Sequence, residues 1–377
     1  MRILHIISSG GMYGAEAVIL NMSRMLNASG HASMLGVFAN SANPNLQLHE
    51  ATKREGIESH LIPCSGQVDG GVGGRIWDLV VETGADVVHA HGYKADIYGY
   101  LALRGRGVGL VSTCHNWLND GLLVAFYGVA DRLVLRGFDG VVAVSEEVRE
   151  TLVRSGVKAE KVRLIRNGID LRPFDRADPV LRREEGLANR LLVGIVGRLS
   201  VEKGMDIFLR AAAEVVKEVP EAAFVIAGDG PEREPLEALV DSLELRDCVT
   251  LLGRREDMPG IYASMDVLVS ASRKEGLPMT ILEGMASCRP WVATAVGAVP
   301  TVVRDGETGV LVASGDVSGL AAAVVSLLRD KERRLALGGA GRRLVEQEFS
   351  AQRMTEDYLS LYEAVLGKAK PGLGGGR

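Results

Sequence analysis

Two glutamates, Glu275 and Glu283, are separated by seven residues in the stretch 272–290, Ser-Arg-Lys-Glu-Gly-Leu-Pro-Met-Thr-Ile-Leu-Glu-Gly-Met-Ala-Ser-Cys-Arg-Pro. Pro278 suits the first turn of a helix, because its fixed φ is helical and its missing N–H would have no partner there. Glu275 then lies just before the helix mouth. Glu283 lies on the helix, among Ile281, Leu282, Gly284, Met285 and Ala286. A carboxylate in such a run is costly to bury unless it is paired or hydrogen-bonded. The mouth spans Gly276, Leu277, Pro278 and Met279; its residues other than the proline present unpaired N–H groups, and with the positive end of the helix dipole these suit a phosphate. Two hydroxyl-binding carboxylates around a phosphate site are what a nucleotide sugar needs. The alternative is that Glu275 caps the helix and Glu283 is a satisfied core acid.

A second group stands in Gly197-Arg198-Leu199-Ser200-Val201-Glu202-Lys203-Gly204, after the apolar run 191–197. Arg198 as a planar fork and Lys203 as a point charge could neutralise a diphosphate, though a solvated basic loop has the same composition. In the first half, Ser9-Gly10-Gly11-Met12-Tyr13-Gly14 follows an apolar run, but the opening Gly-x-Gly of a dinucleotide fingerprint is missing. A loop that lets a ligand approach its backbone fits better. All seven histidines, at positions 5, 31, 49, 60, 89, 91 and 115, lie in this half. His115, followed by Asn116 and Trp117 at a strand end, has the stronger case for a site, and His89 reads as structural. His89-x-His91 has no acid beside it and no Asp-x-Asp, so no metal is expected.

The elements that must position these groups read as strand–helix alternation. Strands are expected over 2–7, 31–38, 57–62, 86–90, 110–113, 140–144 and 162–165, with helices over 14–26, 75–83, 122–135 and 146–154. The pattern restarts with strands over 191–197, 223–227, 249–252, 267–270, 291–294 and 310–312, and a helix over 205–217. Near-continuous apolar strands imply parallel sheets covered on both faces. The fold class is α/β, with two doubly wound Rossmann-like domains facing an interdomain cleft and ligands beyond the carboxyl ends of the strands. The domains are 1–172 and 173–350, with a linker over 167–190 carrying Pro173 and Pro179. Helix continues after 327, its last piece, 351–366, packs back toward the first domain, and 367–377 is a disordered tail.

The 377 residues carry 43 Lys+Arg and 48 Asp+Glu, a formal charge of -5. Residues 1–172 hold 17 of each, leaving 26 basic against 31 acidic in the remainder, so the deficit is in the second half. That argues against nucleic-acid binding and leaves open a local basic contact of the first domain with a membrane surface. The apolar run 118–138, carrying Arg132 and Arg136, reads as a packed helix before a membrane-facing one. No apolar run approaches the ~18 residues of a membrane span. Cys64, Cys114, Cys248 and Cys288 are scattered, which points to a reducing, cytoplasmic setting.

Taken together the chain resembles the retaining glycosyltransferases of family 4, with the GT-B fold. The resemblance rests on Gly10-Gly11, His115, Ser145-Glu146, Asn167-Gly168-Ile169-Asp170, Gly197-Arg198-Leu199, Glu202-Lys203-Gly204, Gly228-Asp229-Gly230-Pro231, Glu275 with Glu283, and Asp305-Gly306-Glu307-Thr308-Gly309. It implies that Arg198 and Lys203 hold the diphosphate of a UDP- or GDP-sugar, with Gly11 closing that site from the first domain. Glu275 would bind the donor sugar, Glu283 the ribose, and His115 would sit near the transferred hexosyl group and the acceptor. Backbone near Gly253 and Arg254 would meet the base. It implies retention, no required metal or cofactor, and a glycan, lipid-linked or small-molecule acceptor in cell-surface polysaccharide or glycolipid synthesis. One departure is Gly297-Ala298-Val299-Pro300-Thr301, where Thr301 stands in place of the usual Glu. The rival readings are a dinucleotide oxidoreductase, a nucleotide-sugar epimerase of the same fold and a non-catalytic sugar-nucleotide-binding protein.

Overall fold

A computed structural model describes residues 1–11, 14–41, 45–66, 69–114, 130–183, 187–276 and 278–368. The chain divides into two compact units, Met1–Gly168 with Ala351–Arg377, and Ile169–Ser350.

The first unit carries β1 (Arg2–Ile7), α1 (Gly14–Ala28), β2 (Ala32–Asn40), α2 (Gln47–Arg54), β3 (Glu58–Cys64), α3 (Val72–Thr83), β4 (Val87–His91), α4 (Tyr93–Leu103), β5 (Gly109–Cys114), β6 (Gly140–Ala143), α5 (Glu146–Arg154) and β7 (Val162–Leu164). Its parallel sheet has the order β3-β2-β1-β4-β5-β6-β7. Leu4 and Ile6 share a core with residues of α3 and α4, while Ile7 of the opposite face packs with α1 and α2. Both faces are covered, which is why the strands read as unbroken apolar runs. Of the helix expected over 122–135, residues 130–135 are helical and the remainder lies outside the described residues.

The second unit carries β8 (Leu191–Val196), α6 (Met205–Glu218), β9 (Ala222–Ala227), α7 (Arg233–Ser242), β10 (Val249–Gly253), α8 (Met258–Ser264), β11 (Val267–Ser270), α9 (Met279–Ala286), β12 (Trp291–Thr294), β13 (Gly309–Val312), α10 (Val317–Arg329) and α11 (Lys331–Glu348). Its parallel sheet has the order β10-β9-β8-β11-β12-β13. Residues 169–183 and 187–190, expected to be part of a linker, instead belong to this unit. Leu181 is fully buried, its N–H donates to Ser264 Oγ at 3.0 Å, and Arg182 pairs with Asp266 at 2.5 Å. Prolines and charges mimic a tether in sequence, but short 3-10 turns at Arg172–Phe174 and Val180–Arg183 let this segment cover the core. The helical run after 327 is broken at Asp330, whose carboxylate accepts from the N–H of Arg333 at 2.9 Å and starts α11.

The last helix, α12 (Ala351–Lys368), belongs to the first unit. It is fastened through a buried polar network. His89 bonds Tyr362 Oη through Nδ1 at 2.8 Å and Thr113 Oγ1 through Nε2 at 2.7 Å. Thr113 Oγ1 in turn meets Tyr358 Oη at 2.9 Å. His5 and His91 lie beside His89 in a buried cluster, 3.2 Å apart between Nδ1 and Nε2. Both ring nitrogens of His89 are engaged by hydroxyls, so it is held as a structural group.

Burial holds the His5 imidazole neutral, its pKa pushed down to about 3. The sign of the effect follows from linkage. Below the unfolded value of about 6.5 the unfolded chain takes up a proton that the folded chain excludes, so stability falls with pH until about 3. Between pH 6.5 and pH 5 His5 alone should cost about 2 kcal/mol. Urea unfolding of wild type and His5→Gln at both pH values checks this. The variant should show the smaller loss, and equal losses would remove His5 as the cause. Among the described residues no helix is long and apolar enough to cross a membrane.

Candidate active site

The second sheet reverses its strand order between β8 and β11. Loops that leave the carboxyl ends of two such strands depart in opposite directions and leave a crevice between them. The loop after β8 carries Arg198 and Lys203, and the loop after β11 carries Glu275. Across that crevice Lys203 Nζ donates to Glu275 Oε1 at 2.5 Å, although the two residues are 72 positions apart. Their side chains are 29% and 8% exposed, so the pair is largely sheltered.

Close backbone approaches hold the two loops together. Gly204, at φ +64°, starts α6, and a β-carbon there would overlap the Ala271 carbonyl oxygen. Gly297, at φ +51° in the loop after β12, would do the same to the carbonyl of Glu275. Only glycine combines that dihedral with that contact. Neighbouring loops join the same edge. Leu199 N–H donates to Asp229 O at 3.0 Å and Gly228 N–H to Gly253 O at 2.9 Å.

Pro278 is the N-cap of α9, one position before the first-turn place expected for it, with φ -76° and ψ 114°. Pro278 makes no side-chain cap hydrogen bond, so among the described residues the first N–H groups of α9 are available to a ligand. Glu283 is half-buried on α9. Burial pushes its carboxyl above the usual range, opposed by a hydrogen bond from Tyr262. Tyr262, fully buried on α8, donates from Oη to Glu283 Oε2 at 2.7 Å. The core-acid alternative therefore describes one of its oxygens.

The expected residues distribute as follows. Lys203 and Glu275 meet directly. Arg198 is exposed on the same loop as Lys203, close enough to Glu202 to help hold that carboxyl below its usual range. Arg254 is exposed beyond β10, Gly276 is exposed, Pro278 buried and Met279 half-buried. Gly11 is buried in the first unit, in the loop after β1, where Ser9 Oγ donates to its carbonyl at 2.8 Å. Leu277 and His115 lie outside the described residues. Three contributors were missed. Ser272 was legible, three positions before Glu275, but Tyr262 and Thr294 have no spacing signal and arrive through the fold.

Residues 12–172 match a model described as Glycosyltransferase Family 4, and residues 190–330 one described as Glycosyl transferases group 1. An N-acetyl-alpha-D-glucosaminyl L-malate synthase of Bacillus anthracis is 28% identical over 97% of this chain and 96% of its own length. An alpha-D-kanosaminyltransferase of Streptomyces kanamyceticus is 34% identical over 74% of this chain and 77% of its own. Among solved structures, Anabaena HepE in complex with UDP superposes with a TM-score of 0.84 at 23% identity, covering 97% of this chain and all of that one. The sucrose-phosphate synthase of Thermosynechococcus elongatus gives 0.78 at 21% over 98% and 100%. Order of motifs, two Rossmann-like units and these matches agree, and the chain belongs to the group 1 glycosyltransferases of family 4, enzymes of the GT-B fold.

Proposed function

We propose that the protein is a retaining hexosyltransferase that takes its sugar from a UDP-linked donor and passes it to a hydroxyl of a glycan, lipid-linked or small-molecule acceptor. The observation that carries this is the Lys203–Glu275 pair at the switch point, beside the uncapped start of α9. A cation, a carboxylate and free backbone amides stand together where a sugar diphosphate would need all three. Breaking the anomeric C–O bond sends its electron pair to the departing diphosphate, and Lys203 and Arg198 stabilise that charge. Glu275 orients the sugar through its hydroxyls, Glu283 binds the ribose, and His115 contacts the transferred sugar. These cations supply the charge that a divalent ion would otherwise bring, so the reading includes no metal.

UDP is chosen over GDP because HepE was solved with UDP and with UDP-glucose. The relatives' names, an N-acetyl-alpha-D-glucosaminyl L-malate synthase and an alpha-D-kanosaminyltransferase, favour a small or glycan-like acceptor. An epimerase or a non-catalytic binder gains no support from the matched models. A role in cell-surface glycan or glycolipid synthesis, in a cytoplasmic setting with peripheral membrane contact, completes the reading. The four free cysteines suit that setting.

Thermal shift tests it first. At a hundred times its dissociation constant UDP should stabilise the protein by roughly 2.7 kcal/mol. GDP should give a smaller shift, and the reverse ranking would overturn the donor assignment. Proton NMR of the glycoside formed should show the donor's anomeric configuration, and inversion, or an epimerised sugar with no glycoside, would refute the reaction.

A further inference from the structure

Glu275 sits on a loop, and a glutamate carries several freely rotating bonds, so something must fix its carboxylate before it can orient a sugar. Lys203 alone is a poor fixture: its flexible stem and charge are claimed by the diphosphate in the reading above. A neutral, short side chain would keep its contact through the reaction. Ser272 has that character. Its Oγ donates to Glu275 Oε1 at 2.7 Å, the same oxygen that Lys203 engages at 2.5 Å. Two donors occupy Oε1, and Oε2 has no partner among the described residues, which leaves it for a hydroxyl of the substrate.

Ser272 is itself held rigidly. It is 2% exposed. Its carbonyl accepts Thr294 Oγ1 at 2.6 Å and Ser314 Oγ at 3.4 Å. Thr294 ends β12, at 1% exposed, and Ser314 follows β13, so one peptide is tied to three neighbouring strands. The Glu275 peptide is covered on its other side by Gly297.

We propose that Ser272, braced by Thr294, is the positioning residue that turns Oε2 of Glu275 toward the sugar hydroxyl. The assignment rests on the reading of Glu275 as the sugar-orienting carboxylate. Ser272 touches no reacting atom and acts through Glu275, so its effect must vanish when Glu275 can no longer play its part.

The test uses the full chain and release of UDP, with water as acceptor, from whichever of UDP-glucose, UDP-galactose and UDP-N-acetylglucosamine gives the largest thermal shift. Ser272→Ala should lower kcat on the order of tenfold, with the donor KM and UDP affinity within about twofold. Thr294→Val should follow the same pattern, and Thr294→Ser, which keeps the hydroxyl, should recover most of the loss. In a Glu275→Gln background the further cost of Ser272→Ala should fall below about twofold, because residues that act as a unit are non-additive. Equal costs in both backgrounds, or no cost of Ser272→Ala in the wild-type background, would overturn the positioning role. A Glu275→Gln enzyme with full turnover would instead overturn the reading of Glu275 beneath it.

Discussion

Lys203→Ala should lower kcat on the order of 10²-fold or more while leaving the donor KM much less affected. The leaving diphosphate gains charge as the glycosidic bond breaks, so a cation beside it is worth more in the transition state than in the ground state. Loss of one such preorganised contact costs about 2.7–4 kcal/mol in the barrier. The structure adds a second consequence. Lys203 is the cation of a largely sheltered pair with Glu275, and truncating it leaves that carboxylate with Ser272 as its donor. The melting temperature should therefore fall as well, because an unpaired sheltered charge is destabilising. Lys203→Arg keeps the charge and should retain the fold. Steady-state kinetics with parallel thermal melts separate the two effects. A variant whose KM rises with unchanged kcat would show that Lys203 serves uniform binding only.

Glu275→Gln and Glu283→Gln should fail in different ways. Glu283 is assigned to the ribose, whose hydroxyls do not change in the reaction, so its loss should mainly raise the donor KM. Its geometry agrees with a static role: one oxygen is tied to Tyr262 of the neighbouring α8. Glu275 is assigned to the sugar beside the developing oxocarbenium charge, where its contacts strengthen in the transition state. Glu275→Gln should lower kcat by on the order of 10²-fold. It also replaces the acceptor of the Lys203 and Ser272 hydrogen bonds with a neutral amide, so both donors lose a charge-assisted partner. Equal falls in kcat for the two variants would end this division of labour. Intact-mass analysis during turnover checks the chemistry: a glycosyl adduct on Glu275 would make it a nucleophile and not an orienting group.

Much of the fold was legible because of one physical fact. Strands of a parallel sheet are covered on both faces, so they must be apolar at nearly every position. β1, β11 and β12 accordingly fall where their apolar runs lie, and most other strand ends move by one or two residues. The segment 169–183 reads as a linker but packs on the second unit, because prolines and charges break helices and strands without preventing burial. Leu181 and the Arg182–Asp266 pair hold it to the second unit. α4, Tyr-Lys-Ala-Asp-Ile-Tyr-Gly-Tyr-Leu-Ala-Leu, shows little one-sided apolar stripe and carries a weak helical signature.

The sequence by itself determined the residue types and their local spacing: Glu275 and Glu283 separated by seven residues, a turn rich in glycine and cations after an apolar strand, and a proline at the start of α9. These are short-range features, set within one loop or one helix turn. Only the tertiary structure decided which of them meet. β11 lies beside β8 and not beside β10, the strand before it in the chain. That crossover brings Lys203 to within 2.5 Å of Glu275. The same strand order places Thr294 under the Ser272 carbonyl and Tyr262 against Glu283. Such contacts depend on strand order, and strand order is set by which apolar faces the whole chain can bury at once, a property that no local window of residues contains.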